Sequence, residues 1–404
     1  MSVRTLMWER GWGAGHCMDS WGNMKFRRAL VTGGAGLIGS HLVDLLLREG
    51  WAVRILDNLE PQTHRNGKPD WVPTEADFRE SDIRDRQAVC AALEDVDIVF
   101  HQAAYGGYMP EIAKFVAVNS FGTAQLLELI RDERLPVRKV VVASSQVVYP
   151  EGAVNCPEHG LVFPPSRAIE QFKAGDFAIH CPLCGVATTP ALTPESAPLS
   201  AESVYAITKL DQERLLLSWS RQTGIPAVAL RYACTFGPRQ SRFNPYTGVI
   251  AIFASRLMNG LAPVIYEDGL QERDFCYVED IARANLIAAS SDRLDGLAVN
   301  VGSGRGTAIL DLARIVADSL GVECDPIVRG EFRPGEIRRL VADSSLMRST
   351  GWTPRVSLEE GIQRYLDWVR RQGDVQDYFS AAEQVLRANG IIQQIAAPVA
   401  EHLR

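Results

Sequence analysis

From residue 27 to about 235, short apolar runs alternate with longer amphipathic stretches. Ala29–Thr32, Val53–Leu56, Asp97–His101, Lys139–Ser144 and Ala227–Arg231 are mostly apolar runs of strand length. Ser40–Glu49, Arg86–Leu93, Ile112–Arg131 and Val204–Arg221 space their apolar residues with the helical period. Strands that alternate with helices predict an α/β fold: a doubly wound parallel sheet covered on both faces. After about 235 the pattern loosens and becomes rich in Gly, Pro and Arg. Two further pieces follow, a strand at Leu297–Val301 and a helix at Ile309–Leu320.

The first strand-to-helix turn carries chemistry. Thr32-Gly-Gly-Ala-Gly-Leu-Ile-Gly39 lies between a strand and a helix, and the next strand ends on Asp57. Glycines let a backbone turn sharply and approach a pyrophosphate. The helix start offers unpaired N–H groups and a positive dipole end to that anion. Asp57 is placed to accept from the adenosine ribose hydroxyls and to repel a 2′-phosphate, which selects NAD. Two glycine templates fit, Gly34/Gly36/Gly39 and the wider Gly33/Gly36/Gly39.

Tyr205-Ala-Ile-Thr-Lys209 opens a later helix, with its Tyr and Lys on one face. A neighbouring ammonium is expected to lower the phenol pKa and make it a general acid–base. Upstream, an apolar central strand ends in Ser144-Ser145-Gln146, at the carboxyl edge where such sheets bind ligands.

Between these two elements, residues 150–202 interrupt the alternation. The segment is proline-rich and far longer than the roughly 12–15 residues of ordinary loops. It holds Cys156-Pro-Glu-His159 and Cys181-Pro-Leu-Cys184-Gly185. Two close pairs of soft ligands suit a tetrahedral, structural Zn2+, and metal binding would supply folding energy to this segment. A redox Cys-x-x-Cys, unpaired thiols, or His180 in place of His159 are the competing readings.

With these residues in view, the chain resembles the extended short-chain dehydrogenase/reductases of the nucleotide-sugar epimerase/dehydratase family, from Arg28 to about Trp368. The likeness rests on Thr32–Gly39, Asp57-Asn58-Leu59, Asp82-Ile83, His101-Gln102-Ala103-Ala104, Asn119 with Gly122-Thr123, Ser144-Ser145, and Tyr205 with Lys209. Further pieces are Leu230-Arg231-Tyr232, Gly237-Pro238-Arg239-Gln240, Arg273-Asp274-Phe275 and Arg333-Pro334-Gly335-Glu336. The resemblance selects the wider glycine spacing. It implies a Rossmann fold with a smaller C-terminal substrate domain, to which the Cys/His pairs of residues 150–202, resembling the metal knuckles of zinc ribbons, add a zinc-ribbon-like insertion. It also implies a cofactor site of Gly33, Gly36, Leu37, Ile38, Gly39, Asp57, Asn58, Asp82, Ile83, Ala103, Ala104, Asn119, Ser144, Tyr205, Lys209 and Tyr232. Catalysis falls to Tyr205, Lys209 and Ser145. Ser145, Gln146, Cys234, Asn244, Arg273 and Arg333 are the substrate residues, the two arginines gripping a diphosphate. Cys156, His159, Cys181 and Cys184 form the zinc set.

Family dehydratases place an Asp-Glu pair after the serine, and decarboxylating members a glutamate. This chain has Gln146-Val147, which leaves reversible oxidation at one sugar carbon, most simply C4 epimerisation through a 4-keto sugar. A 4-ketoreductase or dehydrogenase using the same residues is one alternative, and a non-catalytic dinucleotide-sensing scaffold is another. Cys234, Phe236 and Pro150 depart from an asparagine, a tyrosine and a glycine common in relatives. Asn244–Gly248, Tyr266–Gly269 and the cysteine-bearing insertion look similar to dTDP-L-rhamnose 4-epimerase-like members; UDP-glucose 4-epimerase-like members are the next comparison.

Composition narrows the setting. The chain has 404 residues, 46% apolar, and a net charge of −7 from 42 basic and 49 acidic groups. It shows neither a nucleic-acid-binding basic surface nor a membrane-spanning run of roughly 18 apolar residues. It is read as cytoplasmic with reduced cysteines, and the resemblance implies a homodimer. The expected layout is a flexible extension over 1–26, an NAD-binding domain over 27–235 containing the 150–202 insertion, a substrate domain over 236–372 with 276–302 returning to the first, and a helical tail over 373–404.

Overall fold

The computed structural model describes residues 28–107, 111–242, 244, 248–373 and 375–396. The expected N-terminal extension and the end of the tail lie outside them. Seven parallel strands form the central sheet: β1 (Arg28–Thr32), β2 (Ala52–Asp57), β3 (Asp77–Glu80), β4 (Ile98–His101), β5 (Lys139–Ser145), β6 (Ala227–Tyr232) and β7 (Leu297–Val301). Their order is β7-β6-β5-β4-β1-β2-β3. The chain therefore winds outward in both directions from β1 and β4, and the crevice between these two opens at their carboxyl ends. Alternate residues of each strand face opposite layers. Ala29, Val31, Ile98 and Phe100 join one buried cluster, while Leu30, Val99, Val140 and Val142 join the other. Burial on both faces is what makes these strands continuously apolar in sequence.

Two elements differ from the sequence reading. Strand β3, Asp-Phe-Arg-Glu, is polar and sits at the sheet edge, so it leaves no apolar run. The expected single helix over 112–131 is three pieces: Ile112–Phe115, a π-helical turn at Val116–Phe121, and Gly122–Asp132. The π turn carries Asn119, and its wider winding is a feature often found at functional sites.

Beyond β6, a four-stranded sheet is built from Cys234–Phe236, Glu272–Tyr277, Gly306–Ala308 and Arg339–Leu340. Helices Val249–Met258, Ile309–Leu320 and Leu358–Arg371 pack with it around Phe253, Val316 and Tyr365. Helix Val278–Ser290 and β7 return to the main sheet. Helix Phe379–Ala388 follows, and Gln393–Gln394 then pairs antiparallel with Glu331–Phe332. Residues 150–202 fold into a small antiparallel sheet, Val154–Cys156 with Gly160–Val162 and Thr189–Pro190, and a short helix at Ile169–Lys173. No helix among the described residues is long and apolar enough to cross a membrane.

Candidate active site

The glycine turn is compressed in a way that only glycine permits. Gly33 has φ +69°, and a Cβ there would lie 2.8 Å from the Ala103 backbone. A Cβ on Gly39 would lie 2.1 Å from the Gly33 carbonyl oxygen. The helix therefore starts at Leu37, inside the motif, with no side chain capping its first N–H groups. Those groups are left for an anion. This wall bounds an open cleft of about 1090 Å3, solvent at its mouth included. Gly33, Gly36, Leu37, Ile38, Gly39, Asp57, Asn58, Ile83, Ala103 and Ala104 all line it. An uncapped helix start, a backbone-tight glycine cradle and a carboxylate at the strand end fit a dinucleotide.

Asp57 does more than face the cleft. Its carboxylate accepts from Ala35 N at 3.0 Å and Leu59 N at 2.9 Å, so it ties the glycine turn to the end of β2. Asp82 is drawn aside: Arg84, chiefly through a hydrogen bond, holds its pKa down to about 2, and Asn58 donates to it at 2.9 Å. Ile83, not Asp82, lines the cleft. Asn244, expected near the substrate, lies at the cofactor cleft instead.

Three expected cofactor residues spend their side chains on scaffolding. Asn119 accepts from Tyr105 N at 2.7 Å and donates to Tyr105 O and Thr208 Oγ1, clasping the loop after β4 to the Tyr205 helix. Ser144 donates to Glu213 at 3.0 Å, within a buried Glu213–Arg231 pair. The Tyr232 hydroxyl donates to Asn285 at 2.8 Å. The alternation of β5 explains the contrast at its end: when Ser144 turns into the helix layer, Ser145 turns the other way.

Ser145 Oγ accepts from Val147 N at 3.4 Å and hydrogen-bonds the Tyr205 phenol. Tyr205 begins the helix Val204–Thr223, whose cap is Ser203 accepting from Ala206 N. Gly106 lies against the Tyr205 ring. Lys209, one turn on, donates to the Ala143 carbonyl at 2.8 Å. The expected lowering of the phenol pKa is not what the structure shows. Burial pushes Tyr205 up to about 12, opposed by the Ser145 hydrogen bond, and pulls Lys209 down to about 7. The cause is geometric: Lys209 Nζ lies 5.8 Å from the ring centre and is bonded to a carbonyl, so desolvation outweighs attraction at both groups.

Next along the chain, Gln146 is buried and donates through Nε2 to Cys234 Sγ at 3.5 Å. Its Oε1 is buried without a hydrogen-bond partner among the described residues. Burial raises the Cys234 thiol to about 11, against the pull of Arg273. Arg273 and Arg333 both bond Glu336, one to each carboxylate oxygen. Burial works against the Glu336 charge, but the two guanidiniums prevail and hold its pKa below the carboxylate range. Arg333 also lies over the Tyr266 ring at 4.9 Å. The two arginines thus converge as expected. Their bridging residue was not foreseen as a site residue, although Arg333-Pro-Gly-Glu336 was visible as a motif.

In the insertion, one ligand atom from each of Cys156, His159, Cys181 and Cys184 lies within 4.8 Å of all the others. The sequence reading missed Arg167, a buried cation in the same segment with charged partners on both sides.

Comparison with known proteins agrees with this architecture. The sequence model of the NAD dependent epimerase/dehydratase family matches residues 29–169 and 184–302. A dTDP-L-rhamnose 4-epimerase of Burkholderia thailandensis is 34% identical over 86% of this chain and 96% of its own. A putative UDP-glucose 4-epimerase of Methanocaldococcus jannaschii is 32% identical over 84% and 98%. The Thermotoga maritima UDP-glucose 4-epimerase structure with UDP-glucose superposes with a TM-score of 0.70 at 30% identity, covering 86% of this chain and all of the other. The Thermus thermophilus UDP-glucose 4-epimerase complex with NAD gives 0.66 at 32% identity, covering 85% and 99%. With the glycine cradle, the Ser145–Tyr205–Lys209 group and these matches together, the chain belongs to the NAD dependent epimerase/dehydratase family and is an enzyme of the extended short-chain dehydrogenase/reductase type.

Proposed function

We propose that this enzyme is a nucleotide-diphosphate-sugar 4-epimerase. The observation that carries the reading is the end of β5. Ser145 meets the Tyr205 phenol there, and the next two residues are an amide and an alkyl group. A hydroxyl and a phenol move one proton at one oxygen. Gln146 and Val147 offer no acid for expelling a hydroxyl and no base for a carbon-bound proton.

NAD held at the glycine cradle would accept and return a hydride at one sugar carbon. Tyr205, as the phenolate that the cationic nicotinamide of bound NAD would favour, takes the C4 hydroxyl proton and later returns it, and Ser145 steadies the same oxygen. Burial disfavours the Lys209 ammonium, and a phenolate forming nearby would restore it and share the charge. Arg273 and Arg333 hold the diphosphate while the keto sugar turns to present its other face, a task suited to guanidinium forks. The buried, unpartnered Oε1 of Gln146 is an acceptor for a sugar hydroxyl.

Two further parts belong to the reading. The Cys156, His159, Cys181 and Cys184 cluster is a closed structural Zn2+ site, supported by its all-protein donor set and compactness. The partner in solution is a second copy of the chain. Ile112 (62% exposed), Phe121 (53%) and Ile207 (47%) are exposed apolar side chains, and the turn bearing Phe121 is joined to the helix bearing Ile207 by the Ser120–Asp211 hydrogen bond; these side chains support the reading.

The test is turnover of UDP- and dTDP-sugars in D2O without added cofactor. Epimerisation at C4, with no solvent deuterium on sugar carbon, is the expected result. Incorporation at C3 or C5, or an absolute need for added NADPH, overturns the proposal.

A further inference from the structure

The insertion is wired to the two arginines. Arg167 is almost wholly buried, its side chain 3% exposed. Its Nε donates to Glu151 at 3.1 Å, and its two terminal nitrogens donate to the Glu267 carboxylate at 2.9 and 3.0 Å. One terminal nitrogen also donates to Phe177 O at 3.2 Å, and the other to the main-chain carbonyl of Glu336 at 2.7 Å. All five donors of the guanidinium are therefore engaged. The last bond matters most, because the Glu336 side chain is the bridge between Arg273 and Arg333.

The same strip is gripped at its other end. Phe172, in the short helix of the insertion, stacks on Phe332 with ring centres 4.9 Å apart and planes 13° apart. Phe332 immediately precedes Arg333. Arg167 lies 4.3 Å over the Phe172 ring, so the two contacts form one unit. Beyond Glu336, the Glu151 carboxylate accepts from Arg338 N at 2.8 Å, and the Arg338 side chain reaches Glu267 and Asp268. The residues from Phe332 to Arg338 are thus held from the insertion at both ends.

We propose that Arg167 is a positioning residue for substrate binding: with Phe172 it fixes the Arg333–Glu336 strip so that Arg273 and Arg333 meet a nucleoside diphosphate. This rests on the reading of those two arginines as the diphosphate-binding pair. Arg167 itself is remote from the chemistry, so its effect is on affinity and not on the hydride step. A lysine cannot replace it, because a single ammonium cannot serve two carboxylates and a carbonyl in one plane.

The experiment compares the wild-type enzyme with Arg167→Lys and Phe172→Leu, by calorimetric titration with UDP, dTDP and UMP, alongside kcat, KM and bound NAD. In each variant, the KM for the nucleotide sugar and the Kd for the diphosphates rise on the order of tenfold, the loss expected for one charged hydrogen bond. UMP binding, kcat and bound NAD stay within about twofold of wild type. Phe172→Leu keeps every buried charge paired and carries the test by itself if the lysine variant does not fold. Diphosphate affinity unchanged in the folded variants overturns this proposal alone, as does a parallel fall in kcat and bound NAD. A wild-type enzyme that does not distinguish UDP from UMP overturns the diphosphate-pair reading, and this proposal with it.

Discussion

The Lys209 ammonium donates to the carbonyl of Ala143, the residue two before Ser145 on β5, at 2.8 Å. One bond thereby fixes the Tyr205 helix against the strand that presents Ser145. The same bond sets the spacing between the Ser145 and Tyr205 hydroxyls.

On the proposed mechanism, Tyr205→Phe removes the group that cycles the C4 hydroxyl proton. Turnover is expected to fall at least about a hundredfold, the range of general acid–base catalysis. Bound NAD, measured by absorbance after denaturation, should be unchanged. A variant keeping more than about a tenth of the wild-type rate excludes Tyr205 as the base.

Asp57→Asn keeps the shape but gives up one of two acceptors at Ala35 N and Leu59 N. NAD should bind on the order of tenfold more weakly, and the preference over NADP should shrink with the lost charge. Competitive titration of the two cofactors reads both. Equal NAD affinity in the variant would show that the backbone, not the carboxylate, sets the turn.

Zinc content checks the insertion. Enzyme purified without chelators should hold about one zinc per chain, and Cys181→Ala should hold under about a third of that and melt at a lower temperature. Enzyme isolated free of zinc, yet melting identically with and without added Zn2+, would exclude a structural metal.

Stability should fall in acid through two buried histidines. Burial lowers His101 to about 3 and His41 to about 4, well below the unfolded value of 6.5. Above pH 6.5 both are neutral in either state and their contribution is complete. Below it the unfolded chain takes up protons that the fold refuses, so stability declines down to the folded values, by up to about 1.4 kcal/mol per pH unit for each histidine. Urea midpoints from pH 7 to 4.5 measure the slope, to which His64, lowered by burial, adds and Glu151, raised by burial to about 7, contributes with the opposite sign; His41→Gln should remove up to about 1.4 kcal/mol per pH unit of it. An unchanged slope would mean that other groups govern the acid limb.

Much of the site could be read from residue order because a parallel sheet imposes simple rules. Apolar runs buried on both faces marked β1, β2, β4, β5 and β6, and their carboxyl ends carried Asp57 and Ser145. Other features depended on tertiary neighbours. Nothing in Asp77–Glu80 announces an edge strand. Asn119 and Tyr232 hydrogen-bond across elements distant in sequence, which residue order alone does not show. The pKa shift of Tyr205 depends on how deeply two helical neighbours sit and on which carbonyl captures the ammonium. Arg167 was legible only as a charge, since its partners lie 16, 100 and 169 positions away.

Those separations govern the order of assembly during synthesis. The strands from β1 to β6 pair with one another before residue 233, leaving the outer edge of β6 to await β7, so the glycine cradle can form while the rest of the chain is still being made. The arginine-bearing strip must wait: Phe332 pairs with Gln393, and Ala396 N donates to Lys173 O at 2.9 Å. This region cannot close until residue 396 has been made. The glycine cradle can therefore form well before the Arg333–Glu336 strip is braced.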